Sequence, residues 1–261
     1  MLPPQAVAEP VNRDILAVYD SELERTPGET RVHRMLEMPL NHLGYRVTYW
    51  DMRAGLPAPD VARGFYAVIS WFNERIPEPL RYLEWSNTLA QSGTRFVIVE
   101  HLGVPLDATH LAPLNEFLAH IGVQTTTTWV SDNKGQRILA QNAQMVSFER
   151  RLDGNVPGYM VVKPTAKGTP HVTVGLRDGD PDASTPIITG PGGGYAAPGF
   201  ANHYDPSKNL LSWLVNPFEF LETALGNRRM PIPDVTTVAG RRIYFSHIDG
   251  DAWNNPSEIP G

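Results

Sequence analysis

Cysteine is absent from this chain of 261 residues. Its absence excludes a thiol nucleophile, thiolate metal sites and disulfide bonds, but it does not distinguish a cytoplasmic from a periplasmic protein. Long apolar runs are missing too: none approaches the roughly 20 residues that a membrane-spanning helix needs. Basic clusters longer than a pair are also missing, and the net charge of −6 argues against a nucleic-acid partner. The N-terminal stretch lacks the basic start and apolar core of a signal peptide, so none is predicted in the chain as given.

What the first half of the chain does contain is a regular alternation of short apolar strands and helical segments. This alternation predicts an α/β fold with a doubly wound, mostly parallel sheet. Pro39 lies inside the first helical pattern and should kink or break that helix. The predicted strands are 14–20, 45–51, 65–72 and 95–100, and the clearest helices are 30–44, the segment before Gly93, and 111–122.

The second half of the chain has a different sequence pattern. Between about 125 and 205, short β-branched runs are broken by Gly, Asp and Pro, which predicts an inserted β-rich region. The glycine-rich segment 190–199 lacks a phosphate-binding motif, so we expect a flexible structural loop there. Residues 209–215 are predicted to be the last strand of the sheet, and 216–226 a helix. These patterns divide the chain into a lead-in (1–11), an α/β domain (12–226), and a linker with the start of a further domain (227–261).

Polar and aromatic residues follow the predicted parallel strands and should gather at one edge of the sheet, where doubly wound folds bind ligands. Acids beside a tryptophan suit sugar hydroxyls and a sugar face, so a glycan cleft is one interpretation, while ordinary helix caps are the other. Glu100 and His101 stand where a nucleophile elbow would lie, yet no G-x-S-x-G motif offers a serine. The candidate residues are Asp20, Trp71, Asn73, Glu74, Glu100 and His101.

A second candidate site follows the apolar run 243–245. Asp249 and Asp251 would stand at the mouth of a strand, where one carboxylate could hold a divalent metal while the other accepts a proton from its water. The alternative is a polar turn, since Asp-Gly is a favoured turn dipeptide.

The segment "RIYFSHIDGDAWNN" resembles the first motif of NodB-type polysaccharide deacetylases, in particular the PelA-like exopolysaccharide deacetylases. The resemblance implies that Asp249 is the general base and Asp251 a ligand of a divalent metal, zinc being expected in the complete enzyme. Ala252 departs from the pattern, because the relatives usually have glycine there. The two histidines that the family supplies from an H-x3–5-H motif have no counterpart here, since no two of the eight histidines lie three to six residues apart. We therefore expect this chain to be the front part of a larger enzyme, itself binding no metal tightly.

The earlier part of the chain resembles the domain that precedes the deacetylase in the same family. The resemblance rests on "ILAVYDSELE", "TRVHRMLEMPLNHLGYRVTYWD" and "NPFEFLETAL". It implies a flavodoxin-like fold similar to class I glutamine amidotransferases, although amidotransferase activity is excluded without a cysteine. The implied function is a non-catalytic accessory module, structural or glycan-binding, for biofilm exopolysaccharide in the bacterial periplasm or outside the cell. Its partners would be the polysaccharide and the deacetylase domain of the same protein. The alternative is an independent hydrolase with its site at the strand ends.

Overall fold

The computed structural model describes residues 11–152 and 156–226, together with two short strands at 237–238 and 241–242. The chain divides into two compact units, residues 1–230 and residues 231–261. In the first unit, the helices are α1 (Glu37–His42), α2 (Pro59–Ala62), α3 (Pro79–Gln91), α4 (Ala108–His120) and α5 (Pro217–Leu225). Its strands are β1 (Asp14–Tyr19), β2 (Arg46–Asp51), β3 (Ala67–Phe72), β4 (Arg95–Glu100), β5 (Val123–Val130), β6 (Arg137–Gln141), β7 (Tyr159–Pro164), β8 (Thr169–Gly175), β9 (Ser184–Gly190), β10 (Gly193–Ala196), β11 (Asn202–Asp205) and β12 (Leu210–Trp213).

The centre of the first unit is an eight-stranded sheet in the order β2-β1-β3-β4-β10-β9-β8-β6. The strands from β2 to β10 are parallel to their neighbours, while β9, β8 and β6 extend the sheet with antiparallel pairs. All residues of β3 are buried, and β1 is buried after its first residue. Strands covered on both faces need continuous apolar sequence, which is why these two read as unbroken hydrophobic runs. The predicted α/β class with a mostly parallel sheet is confirmed.

The helix boundaries follow local chemistry that is visible in the sequence. The side chain of Asp107 caps α4 by accepting from the amides of Thr109 and His110. Asn216 caps α5 in the same way, and Gly226 ends that helix with a φ of 68°. Such caps satisfy amides and carbonyls that have no partner within the helix.

The helix around Pro39 changes type instead of simply bending. Residues Val32–Leu36 form a π-helical stretch, in which the amide of Glu37 donates to the carbonyl of Val32. An ordinary α-helix follows as α1 and includes Pro39. The wider turn just before the proline accommodates a ring that removes one amide donor from the helix. The predicted interruption near Pro39 therefore takes the form of a π-to-α transition.

Two predictions for the second half are wrong. The segment 190–199 is not a flexible loop, because it contains β10, a buried strand between β4 and β9. A Cβ added at Gly193 would lie 1.7 Å from the carbonyl oxygen of Phe96, so glycine permits the close approach of β10 to β4. Residues 210–213 do not close the sheet either, since β12 pairs with β11 in a separate hairpin. Leu210 at the start of β12 is exposed, whereas Trp213 at its end is buried and packs in the core, so only the end of this apolar run reaches the core.

The described part of the second unit consists of β13 (Thr237–Val238) and β14 (Arg241–Arg242), which pair antiparallel. The predicted strand 243–245 and the candidate residues Asp249 and Asp251 lie outside the described residues.

Candidate functional site

The carboxyl edge of the parallel strands carries two adjoining depressions. The first, called here the polar cleft, has a volume of about 540 Å³. The second, called here the apolar pocket, has a volume of about 350 Å³. Asn73 lines both, and the consecutive residues Glu100 and His101 line the cleft and the pocket respectively. The polar cleft is lined by Arg31, Trp71, Asn73, Glu100, Asn202, Tyr204, Asn209 and Leu211.

Glu100 is the residue whose surroundings are most unusual at this edge. It ends β4 with a φ of 67°, a left-handed conformation that side-chain-bearing residues rarely adopt. Its Oε2 accepts from the amide of Gly199 and its Oε1 from the side-chain amide of Asn202, both over 3.3 Å. Burial raises the pKa of Glu100 to about 7, although the Gly199 amide and the charge of Arg31 act in the opposite direction. A carboxylic acid in this state can donate or accept a proton near neutral pH.

The β11–β12 hairpin forms one wall of the polar cleft. Tyr204 is 53% exposed, and its hydroxyl donates to the side-chain oxygen of Asn209 at 2.9 Å. The tip of the hairpin is fixed further by Asp205, which accepts from Ser207 and pairs with Lys208. These hydrogen bonds restrain the exposed tyrosine side chain, which lines the cleft.

Trp71 lines the polar cleft, but it offers little free surface. Its side chain is 3% exposed and packs edge-to-face against Trp213 at 5.8 Å between ring centroids. The sequence-based interpretation assigned the sugar-facing ring to Trp71. The exposed ring in the cleft belongs to Tyr204, on a hairpin that the strand-end argument did not include.

Asp20 forms a structural ion pair with Arg53. It is 3% exposed and accepts from Arg53 Nε at 2.6 Å and from Arg53 Nη2 at 2.9 Å. Burial opposes ionisation of Asp20, but the hydrogen bonds from Arg53 and from the amide of Glu22 outweigh it, so the pKa is lowered. A bidentate pair of this kind fixes the end of β1 to the turn after β2.

The apolar pocket contains the other strand-end candidates. Asn73, Glu74 and His101 are exposed at its rim. Partial desolvation lowers the pKa of His101, and the nearby charge of Glu74 opposes that effect. The loops after β3 and β4 are tied together by the amide of Ile76, which donates to the carbonyl of Gly103 at 2.9 Å. A backbone hydrogen bond therefore holds the two loops of the rim together.

The structure thus brings Trp71, Asn73 and Glu100 together in the cleft, and Asn73, Glu74 and His101 together in the pocket. Sequence reasoning missed Asn202, Tyr204 and Asn209 on the hairpin, and Tyr195 in the pocket. These residues come from the β-rich region, far along the chain from the first four strands. The tyrosine within the glycine-rich segment was the one available signal, because an aromatic residue there indicates packing.

No protein-family model matches the chain, and no curated protein matches it either. Within the described residues, no three His, Asp or Glu side chains are grouped so that they could hold a metal ion. Asp249 and Asp251, to which the resemblance assigns the roles of base and metal ligand respectively, lie outside those residues. In the same part of the chain, no helix is long and apolar enough to cross a membrane.

Proposed function

We propose that the α/β unit is a non-catalytic accessory module that binds polysaccharide in the polar cleft. The observation that carries this proposal is the combination, in one cleft, of an exposed tyrosine ring with side-chain amides and a carboxyl group. Sugars present alternating apolar faces and hydroxyl groups, so they are bound by aromatic rings flanked by hydrogen-bonding side chains. Tyr204 offers the ring, while Asn73, Asn202 and Glu100 offer the polar contacts.

The resemblance in sequence supports a wider proposal about the complete protein. We propose a PelA-like exopolysaccharide deacetylase of the bacterial periplasm or cell exterior, with Asp249 as base and Asp251 as a zinc ligand. We also propose a flavodoxin-like, class I amidotransferase-like classification for the α/β unit. The parallel order β2-β1-β3-β4-β10 supports it, because flavodoxin-like sheets have the order 2-1-3-4-5.

Glycan binding is tested by calorimetric titration of the full chain with soluble tetrasaccharides. The probes are cellotetraose, the β-1,4-linked N-acetylglucosamine tetramer and its deacetylated counterpart. Tyr204→Ala should weaken binding about tenfold, since it removes the exposed ring from the cleft. Leu210→Ala is the matched control, because Leu210 is 52% exposed on the same hairpin but does not line the cleft. Absence of binding, or equal losses in both variants, would contradict the proposal.

A second candidate function is hydrolysis with Glu100 as general acid. Its positive φ and its pKa of about 7 favour this candidate, because strained backbone and raised carboxyl pKa values recur at catalytic positions. The test is release of nitrophenol from p-nitrophenyl glycosides and esters, in the wild-type chain and in Glu100→Gln. Turnover that is lost in Glu100→Gln and that falls as pH rises above about 7 would establish the acid role.

A further inference from the structure

The apolar pocket differs in chemistry from the polar cleft beside it. The exposed polar residues Asn73, Glu74, Arg75 and His101 stand at its rim and carry charges of both signs. Behind this rim, the walls are hydrocarbon, thioether and indole surface. The apolar lining residues are Leu102, Val104, Pro105, Leu106, Trp129, Met160 and Pro198.

Tyr195 lines this pocket as well. Its side chain is fully buried, and among the residues that the structure describes its hydroxyl has no hydrogen-bond partner. A buried hydroxyl of this kind is costly to the fold, and each instance in a folded protein calls for an explanation. Burial, and secondarily the charge of Glu100, raise the pKa of Tyr195, so the group is a neutral donor at physiological pH.

The position of Tyr195 links the pocket to the cleft. Tyr195 lies on β10 opposite Ile98 of β4, two residues before Glu100 on the neighbouring parallel strand. Glu100 faces the polar cleft, and His101 follows it in the wall of the apolar pocket. A ligand lying across this junction could therefore keep a polar part in the cleft and an apolar part in the pocket.

We propose that the apolar pocket binds an uncharged apolar substituent of the carbohydrate in the cleft, and that the Tyr195 hydroxyl donates a hydrogen bond to an oxygen of that substituent. This inference rests on the proposed glycan-binding function. An acyl group, through its carbonyl oxygen, and an aryl glycoside, through its ether oxygen, share the required chemistry. Tyr195 acts as a specificity-determining residue that separates substituted from unsubstituted sugars.

Calorimetric titration of the full chain tests the inference. The probes are methyl glucoside and methyl galactoside, their p-nitrophenyl counterparts, and methyl glycosides of the matching N-acetylhexosamines. We expect an aryl or an N-acetyl probe to bind at least tenfold more tightly than its methyl parent. The series that shows the gain in affinity, p-nitrophenyl or N-acetyl, identifies the substituent. Tyr195→Phe should reduce that gain about fivefold and leave methyl glycoside binding unchanged, because one hydrogen bond is lost.

Thermal unfolding distinguishes a ligand-facing hydroxyl from a structural one. Tyr195→Phe should keep or raise the midpoint of unfolding, since its hydroxyl has no partner to lose. Tyr66→Phe is the matched control, because the Tyr66 hydroxyl donates to the carbonyl of Leu225 at 2.7 Å. That control should lower the midpoint without changing any affinity. Trp129→Ala, which removes a 52% exposed side chain from the pocket, should also reduce the gain and leave the fold intact.

The possible outcomes separate this inference from the proposed function. If methyl glycosides bind and no substituent adds affinity, the inference is overturned while glycan binding in the cleft stands. If neither Tyr195→Phe nor Trp129→Ala reduces the gain in affinity from the substituent, the inference is also overturned. It is overturned as well if Tyr195→Phe loses as much stability as Tyr66→Phe. If none of the glycosides or tetrasaccharides binds, the proposed function fails and the inference fails with it.

Discussion

Replacing Glu100 by glutamine should remove a pH dependence from the stability of the fold. The carboxyl group has a pKa of about 7 in the folded chain, against an ordinary value of 4.5. Between these two values the folded state binds more protons than the unfolded state. Stability therefore falls as pH rises through this window, and the contribution is most favourable at low pH. Glutamine has the shape of the protonated acid and cannot ionise, so Glu100→Gln lacks this loss.

The size of the effect follows from the two pKa values. With a folded value of about 7 and an unfolded value of 4.5, the free energy of unfolding decreases by about 2 to 3 kcal/mol between pH 5 and pH 8. The upper end is a limit, because Glu100 is partly open to water in the cleft. Glutamine also disturbs one hydrogen bond, since its amide nitrogen would face the Gly199 amide or the Asn202 side chain, both of which donate. That loss of roughly 1 kcal/mol is nearly the same at both pH values and cancels in the comparison.

The measurement is urea denaturation of the wild-type chain and of Glu100→Gln at pH 5 and at pH 8. From pH 5 to pH 8, the free energy of unfolding of the variant should rise by about 2 to 3 kcal/mol relative to that of the wild type. Carboxyl chemical shifts in an NMR titration would locate the midpoint directly. A stability difference that stays constant from pH 5 to pH 8 would refute the assigned environment of Glu100, and with it the physical basis for an acid role.

The other predictions concern the backbone and the Asp20–Arg53 ion pair. Arg53→Met should lower the urea midpoint at pH 7, because it leaves the buried carboxylate of Asp20 without its bidentate partner. Urea denaturation at pH 7 checks this, and a midpoint equal to that of the wild type would contradict it. Gly193→Ala should cost at least about 3 kcal/mol, or prevent folding, since its Cβ would lie 1.7 Å from the Phe96 carbonyl oxygen; circular dichroism melting that matches wild type would disprove the close approach. Glu100→Gly should be more stable than Glu100→Ala by about 1 kcal/mol at any pH, because only glycine relieves the positive φ.

The parallel half of the sheet could be predicted from sequence because its physics is local. Strands such as β3, buried along their whole length, must be apolar throughout, and the caps at Asp107 and Asn216 mark where α4 and α5 begin. The place of β10 could not be predicted in the same way. Gly193 is required by the carbonyl of Phe96, a residue about a hundred positions earlier. Such a requirement is visible only when both segments are placed in space.

The candidate site also combines residues that the strand pattern predicts with residues that only tertiary contacts place. Parallel strands end at one edge of a sheet, so the meeting of Asn73 and Glu100 follows from the strand pattern. Tyr204 and Asn202 reach that edge through a hairpin outside the main sheet, and hairpin placement depends on tertiary contacts such as the Trp71–Trp213 ring contact. Sequence therefore predicts the floor of the cleft, while its wall becomes visible only in the folded chain.

The polar residues at the strand ends differ in how completely the fold satisfies them. Asp20 has a bidentate arginine, and Asp51 accepts from the amides of Ser21 and Arg53. Glu100 has two contacts of 3.3 Å, a desolvated carboxyl group and a strained backbone at one position. Strain and desolvation each cost on the order of 1 to 3 kcal/mol, and a glycine or an apolar residue at this position would avoid both. The fold thus tolerates a costly arrangement where the polar cleft and the apolar pocket meet, and that is the physical argument for a ligand at this edge.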